Sequence, residues 1–368
     1  MLQISKLKNF LIISFCKFHR KRFQKRIKTS SKNIDFLIVT TTGLGDTLWA
    51  TPVIRDIYKN NPSKKISLLT TSLGKELLQN SPYIENIFVF NTKKSKILQF
   101  FRILKILKNI KIENLLIFHV SQRLILLICF LIKAKNIIST AGKNKNLDDL
   151  LTKIIPFNKN DHEIQRRFDI AKDFINTSIN KSFDFSLDFF PKIEKSPFLK
   201  NSSKKLIAIH PGAKDLYKCW PINKYLKLIK LFIKDPKINI DIVITGSIQE
   251  NEILKFLKKH VKRITCFNNL SIIELASLYK NCDLVITNDT GPMHLANALN
   301  TNLIALFSPT NPKVCGPKIE RNTMIINCPT NCEKCSFRKC KTIGKCLDQI
   351  KEIEVFEKAK LFLKEKND

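Results

Sequence analysis

Residues 35–57 read DFLIVTTTGLGDTLWATPVIRDI. Asp35–Thr40 is an apolar, β-branched run of the length of a buried strand, and Leu48–Tyr58 spaces its apolar residues as a helix does. Gly43 and Gly45 lie between them and permit a tight turn with the backbone close to a ligand. A strand, a glycine turn and a helix often cradle phosphate, yet neither common nucleotide fingerprint is present. The third glycine of a dinucleotide site would fall at Leu48, and no Gly-Lys-Ser/Thr ending makes a Walker loop. Asp46 has two readings here. It is a cap on the helix beginning near Leu48, worth about 1 kcal/mol, or a carboxylate placed to accept a proton.

Outward from this stretch, short β-rich runs alternate with helical patterns. Ile34–Thr40, Ile66–Thr70, Ile87–Phe90, Leu115–His119 and Asn136–Ser139 are candidate strands, separated by helices such as Ile97–Leu107 and Gln122–Ile132. The polar stretch 191–204 lacks periodicity and reads as a linker, after which the pattern restarts with strands at Leu206–His210, Ile240–Thr245, Ile264–Cys266, Leu284–Thr287 and Leu303–Phe307. This predicts an α/β chain of two Rossmann-like halves facing a central cleft, with motifs just after strands. The expected division is a basic N-terminal segment 1–33, a first domain 34–190, the linker 191–204, a second domain 205–327 and a Cys-rich end 328–368.

At 368 residues the chain is too long for one ordinary core, and 44% hydrophobic content is globular rather than disordered. The formal charge of +33 comes mainly from 53 lysines against 11 arginines. Nucleic-acid readers lean on arginine, and no zinc-finger, RRM or KH signature appears, so nucleic acid is not an expected partner. The charge divides between codon bias, since asparagine and isoleucine are also abundant, and an anionic partner such as a membrane surface or a phosphorylated substrate. No run reaches the roughly 20 apolar residues of a transmembrane helix. Phe10–Phe15 is apolar and His19–Lys28 strongly basic, which is the reverse of a signal peptide. A segment lying on anionic lipid fits this order, and so does a frayed basic tail.

Three further stretches carry chemistry. His210-Pro-Gly212 marks a turn at a strand's carboxyl end, and Lys218 follows just before Trp220-Pro221. That lysine either neutralises a phosphate as a point charge or is one more solvated lysine. Thr287-Asn-Asp-Thr-Gly-Pro-Met-His294 joins a strand to a helix. Asp289 or Thr290 can cap that helix, Pro292 fits its first turn, and the N–H groups of Thr290, Gly291 and Met293 form an anion site with the helix dipole. His294 either reaches the same anion or packs in the core. Glu250, in Gly246-Ser-Ile-Gln-Glu250, either bridges ribose hydroxyls or is a helix-start acid favoured by the dipole.

Taken together, GLGDTLWATPVIRDI, HPGA with KCWP and Tyr225, TGSIQE, and TNDTGPMHLANALNTNLIALFSPTNP resemble glycosyltransferase family 9, the ADP-heptose:lipopolysaccharide heptosyltransferases. The resemblance runs from about Ile34 to the C-terminus, with the motifs in the family's order. It implies the GT-B fold and an inverting, metal-independent transfer of heptose from ADP-heptose to a glycolipid acceptor, the inner core of lipopolysaccharide. The enzyme would then be cytoplasmic and peripheral on the inner membrane. It further implies Asp46 as the base, with Gly43, Gly45 and Thr47 in the acceptor-side loop. Lys218 would offset charge on the leaving ADP, while Asp289, Thr290 and Gly291, with Met293, His294 and Gly212 beside them, would hold the donor. Glu250 is assigned to the ribose.

One departure is the run Cys328, Cys332, Cys335, Cys340 and Cys346, denser in cysteine than core-pathway heptosyltransferases. Cys332-x-x-Cys335 has zinc-ligand spacing, so a structural zinc, reduced thiols and disulfides all stand. No cofactor is required for the implied chemistry. The rival readings are a GT-B nucleotide- or glycolipid-binding protein without transferase activity and a family member using a different nucleotide sugar. An NAD-dependent oxidoreductase fails on the missing third glycine.

Overall fold

The computed structural model describes residues 9, 11–18, 33–91, 94–120, 122–176, 187, 204–318, 322–328 and 346–363. The expected linker 191–204 lies outside them except for Lys204, as do the basic stretch His19–Lys28 and Cys332, Cys335 and Cys340. The chain forms two compact units, Met1–Asp184 and Phe185–Asp368.

In the first unit, β1 (Asn33–Thr40), β2 (Ile66–Thr70), β3 (Asn86–Val89), β4 (Lys111–His119), β5 (Ala134–Thr140) and β6 (Lys153–Ile155) form one sheet in the order β3-β2-β1-β4-β5-β6. Every pairing is parallel. The helices are α1 (Leu44–Asn60), α2 (Ser72–Leu78), α3 (Lys96–Leu107), α4 (Arg123–Leu131) and α5 (Glu163–Ala171). Leu37, Ile38 and Val39 of β1 are all buried, because helices cover both faces of a parallel sheet and leave no side for polar alternation.

The second unit repeats the plan. Its strands are β7 (Lys205–His210), β8 (Ile240–Gly246), β9 (Ile264–Asn268), β10 (Leu284–Asn288), β11 (Leu303–Phe307) and β12 (Thr323–Asn327), ordered β12-β11-β10-β7-β8-β9 and again parallel. Its helices are α6 (Ile222–Lys234), α7 (Asn251–His260), α8 (Ile272–Asn281), α9 (Gly291–Ala298), α10 (Pro312–Cys315) and α11 (Glu352–Leu363). Counted from each unit's first strand, both orders are 3-2-1-4-5-6, the Rossmann arrangement. The order reverses between β1 and β4 in one unit and between β7 and β10 in the other. Such switch points are where open α/β sheets bind ligands.

The structure adds β6 and β12, two edge strands absent from the sequence expectation. It also starts α1 four residues early, at Leu44, with Gly43 as its N-cap. The C-terminal helix α11 packs on α6 through Val355, Phe356 and Ala359, with the Phe232 and Phe356 ring centroids 5.2 Å apart in an edge-on contact. Among the described residues no helix is long and apolar enough to cross a membrane.

Candidate active site

Each switch point carries a charged cluster. In the first unit the cluster forms around Asp46. Because α1 begins at Leu44, Asp46 sits inside the first turn and is not the cap; the cap, Gly43, makes no side-chain bond. The Asp46 side chain is thereby free to turn to other elements. Its Oδ1 lies 2.8 Å from Arg167 Nη2 of α5 and 3.2 Å from His119 Nδ1 at the end of β4. His119 Nδ1 is also 3.1 Å from Thr42 Oγ1 in the turn. Arg167 is held from behind, its Nη1 donating to Glu163 Oε2 at 2.9 Å and to the Glu163 carbonyl at 2.6 Å, with its guanidinium 5.3 Å from the Trp49 ring.

Burial alone would raise the Asp46 pKa. The hydrogen bond and positive charge of His119 oppose it, joined by the charge of Arg167 and a hydrogen bond from Thr42, and together they hold the carboxyl well below the usual carboxylate range. Asp46 is therefore an anion at neutral pH. The glycine turn is less demanding than its composition indicates. Gly43 has φ −87° and ψ −177°, an ordinary extended conformation, and a Cβ there would meet nothing within 4 Å. Thr47 donates its hydroxyl to the Gly43 carbonyl at 3.1 Å, closing the helix start.

In the second unit Lys218 Nζ donates to Asp289 Oδ2 at 2.6 Å, and Thr310 Oγ1 donates to the same oxygen at 2.5 Å. Burial, which alone would lower the Lys218 pKa, is outweighed by the Asp289 charge and hydrogen bond, so the ammonium is held above its ordinary range. The residue beside Asp289 organises the surroundings. Asn288 Oδ1 accepts from Trp220 N–H at 3.1 Å and Tyr225 O–H at 2.9 Å, while its Nδ2 donates to the carbonyls of Pro211 at 2.8 Å and Gly212 at 3.3 Å. One buried amide thus ties the His-Pro-Gly turn, the Lys218 loop and the end of β10 together.

Thr290 is the N-cap of α9, without a side-chain cap bond, and Pro292 lies in the first turn. Thr290 and Gly291 are half-buried at this end of the helix. Met293 differs from expectation: its N–H donates to the Thr290 carbonyl at 3.1 Å and its side chain is fully buried, so its amide is used within the helix turn. His294 is also buried. Glu250 closes a capping box with Ser247, whose N–H donates to Glu250 Oε2 at 2.5 Å. The same carboxylate crosses to the Gly212 turn so closely that a Cβ at Gly212 would fall 1.8 Å from Glu250 Oε1. Behind it, His210 Nδ1 is 3.0 Å from Thr245 Oγ1, and Nε2 is 3.9 Å from Glu250 Oε2. Burial pushes the His210 pKa down, against the pull of Glu250.

Sequence reasoning missed His119, Arg167, Glu163, Asn288 and Thr310. His119 and Asn288 end strands flanking switch points, a signal the strand pattern does carry. Arg167 and Thr310 have no local signature. Of the cysteine cluster, Cys328 donates to Gln349 Oε1 at 3.2 Å. Burial pushes its thiol up, followed by the nearby Cys346 and Glu354. Among the described residues no group of three or more His, Cys, Asp or Glu could hold a metal.

Residues 127–345, more than half of the chain, match the model of glycosyltransferase family 9 (heptosyltransferase). The chain belongs to this family. This family 9 glycosyltransferase is 27% identical over 335 residues to lipooligosaccharide heptosyltransferase 2 of Campylobacter jejuni, covering 88% of the chain and 96% of the relative. It is 24% identical over 283 residues to lipopolysaccharide heptosyltransferase 3 of Escherichia coli, covering 73% and 81%. Among solved structures, a family 9 glycosyl transferase of Veillonella parvula superposes with a TM-score of 0.75 at 19% identity, over 91% of this chain and 98% of that one. An E. coli heptosyltransferase solved with ADP gives 0.71 at 17%, over 89% and 100%. These likenesses agree with the two Rossmann-like units seen here, and the family 9 enzyme has the GT-B fold.

Proposed function

We propose that this glycosyltransferase moves a heptose from ADP-heptose to a hydroxyl of a lipopolysaccharide or lipooligosaccharide core, a glycolipid presented at the anionic cytoplasmic face of the inner membrane. The observation that carries the reading is the Lys218–Asp289 pair at the β7/β10 switch point, beside the N-terminal end of α9. A leaving diphosphate develops negative charge as the sugar carbon separates from its oxygen. An ammonium and a helix N-terminus are preorganised to stabilise that charge. Lys218, released from Asp289 to the phosphate, and the α9 end provide both, so the transfer proceeds without a metal. Glu250, held against the Gly212 turn, takes the ribose hydroxyls. Residues 205–327 thereby bind the donor and 34–190 the acceptor.

Asp46 is the carboxylate of acceptor activation. The acceptor hydroxyl gives its proton to the Asp46 carboxylate as its oxygen bonds to the anomeric carbon from the side opposite ADP, and the bond from that carbon to the ADP oxygen breaks, which inverts the centre. Donor identity is supported by the relatives named as heptosyltransferases and by the E. coli structure solved with ADP. The test is a panel of ADP-, UDP- and GDP-sugars with lipooligosaccharide acceptors, read as nucleotide release and product anomer in the presence and absence of EDTA. Release of ADP from ADP-heptose alone, insensitive to EDTA and with an inverted product, is expected. Transfer from another nucleotide sugar, or none from any, overturns the reading.

A further inference from the structure

The first unit carries an apolar surface that its own core does not explain. Helix α3 buries Gln99, Ile103 and Leu107 against the sheet, yet Ile97, Leu98 and Phe101 on its outer side are 63%, 69% and 61% exposed. Ile97 and Phe101 lie one turn apart on that side and make one stripe, with Leu98 beside it. Lys105 and Lys108 continue that stripe into the last turn. From Lys94 to Lys111 the chain has six basic residues and no acidic one. Isolated exposed apolar residues are ordinary, but a contiguous stripe rimmed by one sign of charge marks an interaction surface.

Two further features adjoin α3. Residues 11–18 are helical, and Cys16, Ile12 and Ile13 pack into the core cluster that also holds Ile103 and Leu107 of α3. Leu11, Phe15 and Phe18 of that helix are each more than half exposed. Adjoining α3 is a recess of about 370 Å³, where Lys75 of α2, Lys94 and Arg102 are accompanied by the single acid Glu76. Arg102 is fixed there by donating to the Val89 carbonyl at 2.5 Å.

We propose that this side of the first unit is a docking face for an anionic bilayer, with Ile97, Leu98 and Phe101 and the outer residues of helix 11–18 entering the interface and the Lys75–Lys94–Arg102 recess taking lipid phosphate. The chemistry selects a membrane over a second protein. Aromatic and aliphatic side chains on a helix with a lysine border suit the headgroup–acyl boundary, and the basic excess is complementary to acidic lipid. The face serves the proposed glycolipid acceptor, but it stands on its own observations and is tested apart from transfer.

The experiment is flotation of the full chain with vesicles of phosphatidylcholine alone or with about one-third phosphatidylglycerol, at low and high salt. Wild type is expected to float with the anionic vesicles only, and less at high salt. Ile97→Ser/Leu98→Ser/Phe101→Ser should lower the partition coefficient by at least about ten-fold, and Lys75→Gln/Lys94→Gln by about five-fold for each lysine removed. Both variants should keep the wild-type unfolding midpoint and the wild-type turnover of a delipidated acceptor. Wild-type flotation by the triple serine variant, or no flotation of wild type, overturns the proposal. So does a change of oligomeric state in the serine variant, which would make the face a contact between copies. Loss of transfer with flotation intact would instead count against the proposed reaction and leave the face standing.

Discussion

Arg167 Nη2 and Asp46 Oδ1 meet at 2.8 Å in an asymmetric pair, the guanidinium side chain 1% exposed and the carboxylate 19%. The cation is sealed between α5 and Trp49, and the anion is left at the surface of the cluster. A fixed, buried positive charge thus holds the carboxylate in place and in its ionised form. His119, at 43% side-chain exposure, occupies the open side of the same oxygen.

Arg167→Met tests this arrangement. The substitution keeps most of the volume but leaves Asp46 and Glu163 without their shared cation. Breaking a buried pair in this way costs about 3 kcal/mol, discounted here because both carboxylates retain some water. Urea unfolding should show a loss of about 2 kcal/mol, and turnover should fall more than donor affinity. His119→Gln, which can still donate to Asp46, should lower turnover less than His119→Ala.

The depressed Asp46 pKa makes a statement about acid stability. The unfolded-state value is about 3.9, and the folded value lies below it. The contribution is therefore complete above the unfolded pKa and is lost as pH falls through that value toward the folded one. Asp46→Asn removes it. Urea midpoints of the two proteins should differ most above about pH 5 and converge toward about pH 2; a gap independent of pH would assign the difference to packing.

How much of this was legible without coordinates depends on burial. Ile66–Thr70 and Leu303–Phe307 were bounded at both ends, since a strand covered on both faces is a continuous apolar run. Lys153–Ile155 and Thr323–Asn327 are edge strands, three and five residues long and partly exposed, and their apolar runs of two or three residues are too short to read as buried strands. The start of α1 was misplaced because glycine and aspartate read as a turn, whereas here they occupy the first helical turn. Asp46, Lys218, Asp289 and Glu250 stand out in the sequence as candidates because each follows a strand, and in the structure each lies beyond a strand end. Arg167 could not be, since its role depends on which face of α5 meets α1, and nothing local encodes that.

Gly212→Ala separates position from stability. The added Cβ collides with Glu250 Oε1, the far end of a side chain that can swing away. Relief therefore costs about 1 kcal/mol of stability, the low end for an added methyl group. The displaced carboxylate should nevertheless weaken ADP affinity, measured by calorimetry, while affinity for ribose-free pyrophosphate stays unchanged.

Lys218→Met should weaken ADP binding by about 2 kcal/mol, as a charged hydrogen bond is lost. It also strands Asp289, which is buried and retains only Thr310 among the partners described above. The Lys218→Met/Asp289→Asn double variant should regain stability over the single one without regaining affinity. Recovery of both would mean that Lys218 supports Asp289 and does not contact the donor.

Asn288→Asp is the most severe change expected in the second unit. The Oδ1 acceptor for Trp220 N–H and Tyr225 O–H survives, but the amide that donates to the Pro211 and Gly212 carbonyls becomes an oxygen. A carboxylate would then face two carbonyl oxygens at a fully buried site. It must either take up a proton or push the His-Pro-Gly turn away, and each route costs about 2–4 kcal/mol. Protonation restores a donor, so the stability lost should shrink as pH falls below neutrality. Urea titrations of wild type and Asn288→Asp at several pH values measure it, and a loss that does not change with pH would mean that the turn moves and the acid stays charged.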